Sequence, residues 1–365
     1  MFVDSGLSAL EISTLLIIWS IAILLAEIPS GALADRYSRR NLLVIAQLIR
    51  ASGYLLWLSF PTFYGFAAGL VLWGIGHAFK SGAFEALVYD ELKAEGGEKR
   101  YAQIIGHGES LSLFFGLGST LAATPVFIWF GYPGILWGSV AAVTLSALVA
   151  LSLPNRPLQK KVGMQSYTDL IREATRSITR TPSLLKLIVF GVFVGMLFRI
   201  FDEYTSLIIK ESGISVEWIP ITSAILFIPV ILVGFIAYRF ERLRGTTFVI
   251  ALALAGVTLI LSGLAGGLSG LAFFSLFLLL LKLTQIIFNS RIQHTIASGA
   301  RATITSFNAF GVEMAAVGGF FLYGLMSQLG GIRLVLTFFG SISIGTTLLY
   351  FVLAKWRHRT ASSVN

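Results

Sequence analysis

Eleven times along this chain, a stretch of roughly twenty mostly apolar residues runs between charged or Gly/Pro-rich breaks. That is about the length a helix needs to cross a hydrocarbon core. The stretches are 10–33, 41–60, 63–89, 101–125, 129–153, 184–208, 217–240, 246–264, 269–290, 303–327 and 332–354. In lipid only helices and closed barrels satisfy their own backbone groups, and the weak alternating pattern of a barrel is absent. The expected fold class is therefore an all-α membrane protein with eleven transmembrane helices. Composition agrees: 12% of the residues are charged and 56% hydrophobic, whereas soluble domains average about 25% charged. Too little polar surface is left to coat a globule. A soluble enzyme, a disordered tail and a nucleic-acid binder are excluded, despite a net charge of +9. The chain has no cysteine, which rules out disulfides and thiolate chemistry, and its four histidines leave little for a metal centre. No metal, cofactor or nucleic-acid partner is expected. Residues 1–8, MFVDSGLS, lack the basic region of a cleavable signal peptide.

The basic residues sort by side. Alternate connections and the tail hold 20 of the 27, among them Arg36, Arg39, Arg40, Lys93, Arg239, Arg291 and Lys355. The opposite connections hold only Lys210 and Arg333, and five more lie within the spans. Cytoplasmic loops concentrate Lys and Arg, and an anionic leaflet favours them there. The N-terminus is expected outside and the C-terminus inside. The setting is a cell membrane, most simply a bacterial cytoplasmic membrane, with the bilayer as a partner. Trp57, Trp73, Trp129 and Trp356 are expected to be interface anchors, and glycines such as Gly74, Gly76, Gly318 and Gly319 to allow close helix packing.

The sequence also repeats. Gly31, Ala34, Arg36 and Arg39 recur as Gly234, Ala237, Arg239 and Arg242, each 203 residues on. Arg100 and Gly118 recur as Arg301 and Gly319, 201 residues on. Two matches at nearly one spacing point to duplicated halves, a mark of secondary transporters. The expected organisation is a five-span bundle over 1–153, a cytoplasmic linker over 154–183, a six-span bundle over 184–354, and a cytoplasmic tail over 355–365. Within the linker, 166–180 reads as an amphipathic helix on the membrane surface. Shifted back by the repeat, the span 184–208 falls almost wholly before Met1, which gives a five-plus-six arrangement.

GALADRYSRR at 31–40, its degenerate copy GFIAYRFERLR at 234–244, the long basic linker, SGAFEALVYDEL at 81–92 and RATITSFNAFG at 301–311 together resemble the major facilitator superfamily of secondary transporters. The resemblance covers nearly the whole chain. It implies two helix bundles rocking around a central site. Members usually have twelve helices, and this chain departs from that by lacking the first. The resemblance gives Asp35 and its neighbours Arg36, Arg39 and Arg40 a gating role in latching the cytoplasmic side, with Gly31 allowing close helix approach and Asp90 in the same charge relay. A purely topological anchor accounts for the arginines but not for Asp35.

Ionisable residues inside spans are costly and are functional candidates by default. They are Glu27, Arg50, Lys80, Glu85, Glu109, Arg199, Asp202, Glu203, Lys282 and Glu313; Lys186, near a membrane end, is expected to snorkel. Glu27 and Arg50 stand at matching heights on adjacent helices and can pair, either as a structural bridge or at a substrate or proton site. Glu85 and His107 can meet in the same way. Lys282, Gln285 and Asn289 form a polar stripe on an otherwise apolar span, and Arg199, Asp202 and Glu203 share a face. Together with Ser306, Asn308 and Glu313, these are expected to line the cavity of the second half, with Asp202 and Lys282 as opposite charges on facing helices. No phosphate loop or nucleophile–base set appears, so the chain reads as a transporter and not an enzyme. The expectation is alternating-access transport of a small organic solute, with proton-coupled efflux ahead of nutrient uptake. The missing helix leaves a transport-inactive membrane protein as the reading from a different class.

Overall fold

The computed structural model describes residues 1–97, 100–155, 182–240, 245–295 and 301–362. All regular structure among them is helical. The chain divides into two compact units, Met1–Asp169 and Leu170–Asn365. Most of the linker expected at 154–183 lies outside the described residues. Eight stretches are long and apolar enough to cross a membrane, and two of these, of 38 and 46 residues, exceed what one crossing needs.

Unit 1 holds α1 (Ala9–Arg36), α2 (Arg39–Ser59), α3 (Phe63–Ala94) and α4 (Tyr101–Leu151). Polar caps set the starts. Ser8 and Glu11 form a reciprocal capping box on α1. Ser38 accepts from the Asn41 N–H to cap α2, and Thr62 accepts from the Gly65 N–H to cap α3. Inside α4, Gly131 takes φ 62°, a left-handed conformation that a side chain would strain. Contacts show that the chain doubles back there. Tyr101 packs against Tyr89 near the end of α3. Tyr132 sits beside the N-terminus, accepting from the Met1 ammonium at 2.7 Å and hydrogen-bonding Asp4. Leu151 has returned to the α1–α2 connection, where its carbonyl receives Arg40 and Ser38 bonds Asn155.

Unit 2 holds α5 (Pro182–Glu211), α6 (Ile219–Ile236), α7 (Gly245–Ala265), α8 (Gly267–Thr295) and α9 (Arg301–Ser362). The first part of α9 runs parallel to α5: Gly311 meets Val192, Gly195 meets Val312 and Gly319 meets Ile200. The second part runs antiparallel to α7. Thr347 donates to the Val249 carbonyl at 2.9 Å, and Gly263 meets Leu336. At their crossing, a Cβ built on either Gly256 or Gly340 would lie 2.6 Å from the other's carbonyl oxygen. The reversal falls at Gly330–Gly331, with Gly331 at φ 65°.

The two units repeat one plan. In unit 1, α2 packs on α3, α1 on α3 and α2 on α4; in unit 2, α7 packs on α8, α6 on α8 and α7 on α9. The reversing glycines are 200 residues apart (131 to 331). Helix α5 packs on α8 and α9, its buried Phe201 and Tyr204 against Phe274 and Phe277 of α8 and Phe320 and Tyr323 of α9. In unit 1, the first part of α4 carries Phe114 and Phe115 exposed.

The glycine expectation holds in three of four places. Gly74 lies against Trp19 and Ala22, Gly76 against Arg50 and Gly319 against Ile200, while Gly318 faces open space. Of the tryptophans expected as anchors, Trp57 and Trp73 are half-buried and stack at 6.4 Å between centroids, with Trp73 also 6.1 Å from Trp19. They pack where α1, α2 and α3 meet, and the Trp356 side chain lies outside what is described. Trp129 is 78% exposed.

Candidate functional site

Three groups of polar side chains stand out from the apolar packing. The first lies at the basic end of unit 1. Arg39, at the start of α2, is 7% exposed. It forms an ion pair with Asp90 and donates to the Ala86 carbonyl at 2.7 Å, both on α3. Around it pack Ala34, Leu42, Leu43, Ala83 and Leu87. One guanidinium thus ties the ends of α2 and α3, an orientation-specific bond of the stronger charge-assisted kind. Of the expected relay, the structure joins Arg39 and Asp90. Arg40 turns instead toward the Leu151 carbonyl and Asn41. Gly31, Asp35 and Arg36 lie on α1, but their side chains are outside what is described, as are those of Glu85, Glu109 and Ser306.

The second group lies midway along α2 and α3. The Arg50 guanidinium sits 4.2 Å from the centre of the Trp73 ring, an arrangement in which the ring's negative face attracts the cation. Tyr54, one turn along, meets Trp73 at 5.6 Å and Trp57 at 5.5 Å. Lys80 is exposed, and Glu27 is exposed on α1. Arg50 thus takes an aromatic partner. Sequence reasoning missed Trp73, although the signal was present. The α2–α3 turn centres near 61, and Arg50 and Trp73 lie nearly equal distances on either side of it.

The third group is in unit 2. Arg199 on α5 pairs with Glu203 one turn on, and with Glu313 of α9, whose Oε1 is 3.1 Å from Arg199 Nε. Phe320 lies 5.9 Å from the guanidinium. Beneath the cluster, Tyr204 and Tyr323 stack with rings 3° from parallel. Lys282 of α8 donates to Gln285 at 3.2 Å and lies 4.7 Å from the Phe198 ring. The structure therefore brings together Arg199, Glu203 and Glu313, and separately Lys282 and Gln285. Asp202 on α5 faces Lys282 closely enough for the two charges to attract, without a direct ion pair, and the Lys282 head contacts Gln285 and Phe198. Asn289 is exposed farther along the same helix, and Asn308 Oδ1 is buried without a hydrogen-bond partner among the described residues. Lys80 and Lys282 stand 202 residues apart (80 to 282), at corresponding positions of α3 and α8. His107 is exposed on α4. Among the described residues, no group of three or more His, Asp or Glu is placed to hold a metal ion.

Comparison with known proteins settles the family. The Major Facilitator Superfamily matches residues 1–318. This chain belongs to the Major Facilitator Superfamily. It is accordingly a multi-pass membrane transport protein. No curated protein matches its sequence. Among solved structures, a mutant form of the nucleoside transporter NupG is similar at 15% identity, covering 96% of this chain and 92% of that one, with a TM-score of 0.79. Another NupG structure is similar at 16% identity over 97% and 93%, with a TM-score of 0.77. An auto-inhibited POT family peptide transporter is similar at 14% identity over 95% and 88%, with a TM-score of 0.63. At such identities the likeness is one of fold. The superfamily member described here shares the fold of these transporters, and its chemistry must be argued from its own side chains.

Proposed function

We propose that this superfamily member is a proton-coupled secondary transporter of a small organic solute, working by alternating access, with Arg199, Glu203 and Glu313 as its proton-handling group. The observation that carries the reading is one guanidinium shared by two carboxylates inside a membrane helix bundle. Two carboxylates against one cation leave a net negative charge, and charge in this setting is costly. One proton neutralises the group. A cluster whose charge balances only when protonated can exchange that proton for a change in helix arrangement or in bound solute. The structural neighbours are transporters of nucleosides and peptides; their low identity gives no ground for carrying either substrate over.

The same reading includes eleven passes, five in unit 1 and six in unit 2, supported by the chain reversals at Gly131 and Gly331. It places the basic ends in the cytoplasm, and it makes Arg39–Asp90 part of a latch there. Export is the direction proposed. The test uses proteoliposomes loaded with a cell extract of small metabolites, with the interior and exterior followed by untargeted mass spectrometry under an imposed pH gradient. The proposal expects at least one solute to move against its own gradient, and to stop when a protonophore collapses the proton gradient. A solute that merely equilibrates, with or without the gradient, would overturn proton coupling. Movement in the same sense as the protons would overturn export in favour of uptake.

A further inference from the structure

We infer that Arg50 and Lys80 form a recognition site for the acidic group of an organic anion, whose planar apolar body lies against the Trp73–Tyr54–Trp57 aromatic group. The inference rests on the transport reading only in taking the bound anion as cargo. Its first support is the contrast between the cations of the two units. In unit 2 the two intramembrane cations are answered from within: Arg199 by two carboxylates, and Lys282 by the Gln285 amide and the Phe198 ring. In unit 1, neither Arg50 nor Lys80 forms an ion pair among the described residues: Arg50 has the Trp73 ring and the Tyr54 hydroxyl, whereas the charge felt by Lys80 is the like charge of Arg50. Lys80 holds the place in α3 that Lys282 holds in α8, yet it lacks the counterparts that satisfy Lys282.

The second support is geometric. Gly76 has no side chain, so Arg50 lies directly on α3; a Cβ at Gly76 would stand 2.6 Å from Arg50 Cγ. Lys80 is one helical turn beyond Gly76 on the same face of α3. Trp73 is three residues before it, with its ring under the guanidinium. Two cations and an indole thus share one stretch of one helix–helix seam. Like charges held close together in a low-dielectric setting repel, and an anion between them removes that cost.

The third support is unused hydrogen-bonding capacity. Arg50 Nε and Trp73 Nε1 are buried N–H donors without a well-aligned acceptor among the described residues, and the two side chains share the Tyr54 hydroxyl as a polar neighbour. Buried donors in native proteins nearly always find an acceptor. A carboxylate brings acceptor oxygens suited to a guanidinium fork, and the indole N–H supplies a further donor. The aromatic faces of Tyr54, Trp57 and Trp73 meet at 5.5–6.4 Å between centroids. They suit the offset stacking of a flat ring. Lys80 is exposed and Arg50 half-buried, so neither cation is sealed beneath other side chains of the unit.

The experiment measures binding rather than transport. The full chain in lipid nanodiscs is titrated calorimetrically with 1-naphthoate and with its neutral counterpart 1-naphthamide. Naphthoate is expected to bind at least about tenfold more tightly than the amide, a difference of about 1.4 kcal/mol. Lys80→Met is expected to weaken naphthoate binding by about tenfold or more and leave the weak amide binding unchanged, whereas Lys80→Arg keeps the affinity within about threefold. Arg50→Gln is expected to act like Lys80→Met. Because Arg50 also packs on Gly76, the surface-accessible Lys80 variants decide the matter if Arg50→Gln fails to fold. Equal binding of acid and amide, no binding of the acid, or an unchanged affinity in Lys80→Met overturns the inference. Loss of proton-driven flux with naphthoate binding intact would instead strike the transport reading and leave this site standing.

Discussion

Replacing Arg199 by methionine removes the one cation that holds two carboxylates in unit 2. Arg199, Glu203 and Glu313 have side chains 17%, 25% and 23% exposed, too little for water to take over the role of the guanidinium. Each carboxylate left behind has two ways out. It stays charged, at about 2.5–3.5 kcal/mol near the middle of a membrane helix. Or it takes a proton, which near neutral pH costs about 3.7 kcal/mol starting from a reference pKa of about 4.3. The routes cost nearly the same, and breaking buried pairs typically costs about 3–5 kcal/mol. For a unit of about 200 residues, with about 2–4 °C per kcal/mol, the thermal midpoint should fall by about 6–20 °C. The assay is intrinsic-fluorescence unfolding in detergent, on Arg199→Met, Glu313→Gln and the double variant. The double variant should recover part of the loss, because one stranded charge is gone, giving a clear interaction term in the cycle. Lowering the pH toward about 5 should also recover part of it, since protons then replace the missing cation more cheaply. A midpoint within about 2 °C of the parent, or strictly additive effects, would refute the reasoning.

Four further outcomes follow from the packing and the topology. Asp90→Asn removes the charge that Arg39 grips and should slow transport while leaving solute affinity within about twofold; an unchanged rate would reduce this contact to a structural tie. Gly340→Val places a Cβ 2.6 Å from the Gly256 carbonyl and 2.7 Å from Ile260 Cγ1, and should cost about 1–3 kcal/mol in unfolding experiments. Gly318→Ala, in open space, should be neutral or stabilising by up to about 1 kcal/mol. Since the chain has no cysteine, single cysteines at exposed Ser5 and Ser152 can be probed in intact cells with an impermeant thiol reagent; Ser5→Cys should label and Ser152→Cys should not, and the reverse would overturn the proposed orientation.

Much of the fold was legible because the bilayer imposes one simple rule, a run of apolar residues of fixed length. The rule marks the membrane better than it marks the helix. It ends the third span at 89, whereas α3 continues to Ala94, because backbone hydrogen bonding does not stop where hydrophobicity does. It places one break at 126–128, whereas the reversal falls at Gly131; the other break, 328–331, does contain its reversal at Gly330–Gly331. The deciding property at both is a left-handed backbone, which hydropathy does not record. The candidate site was legible wherever partners lie on one helix or across one hairpin. Arg199 and Glu203 are four apart on one helix; Arg50 and Trp73, across the α2–α3 turn, carried the same kind of signal and were missed because charge was matched only with charge. The Arg199–Glu313 pair was not legible, because 114 residues separate the partners and only the packing of α9 on α5 brings them together. Asp202 and Lys282 do face each other closely enough for their charges to attract, but charge complementarity in sequence does not say which groups make the direct contacts, and the Lys282 head takes Gln285 and the Phe198 ring.

The most direct test of the central claim is to separate solute movement from proton movement in one variant. A pH-sensitive dye trapped inside proteoliposomes reports protons while labelled solute reports cargo, for the parent and for Glu313→Gln. The parent should change internal pH as solute runs down its gradient. Glu313→Gln, which keeps its shape and loses its charge, should still exchange solute for solute but produce no change in internal pH. If Glu313→Gln moves protons with solute at the parental rate, the Arg199–Glu203–Glu313 group does not carry the coupling and the proposed mechanism is contradicted.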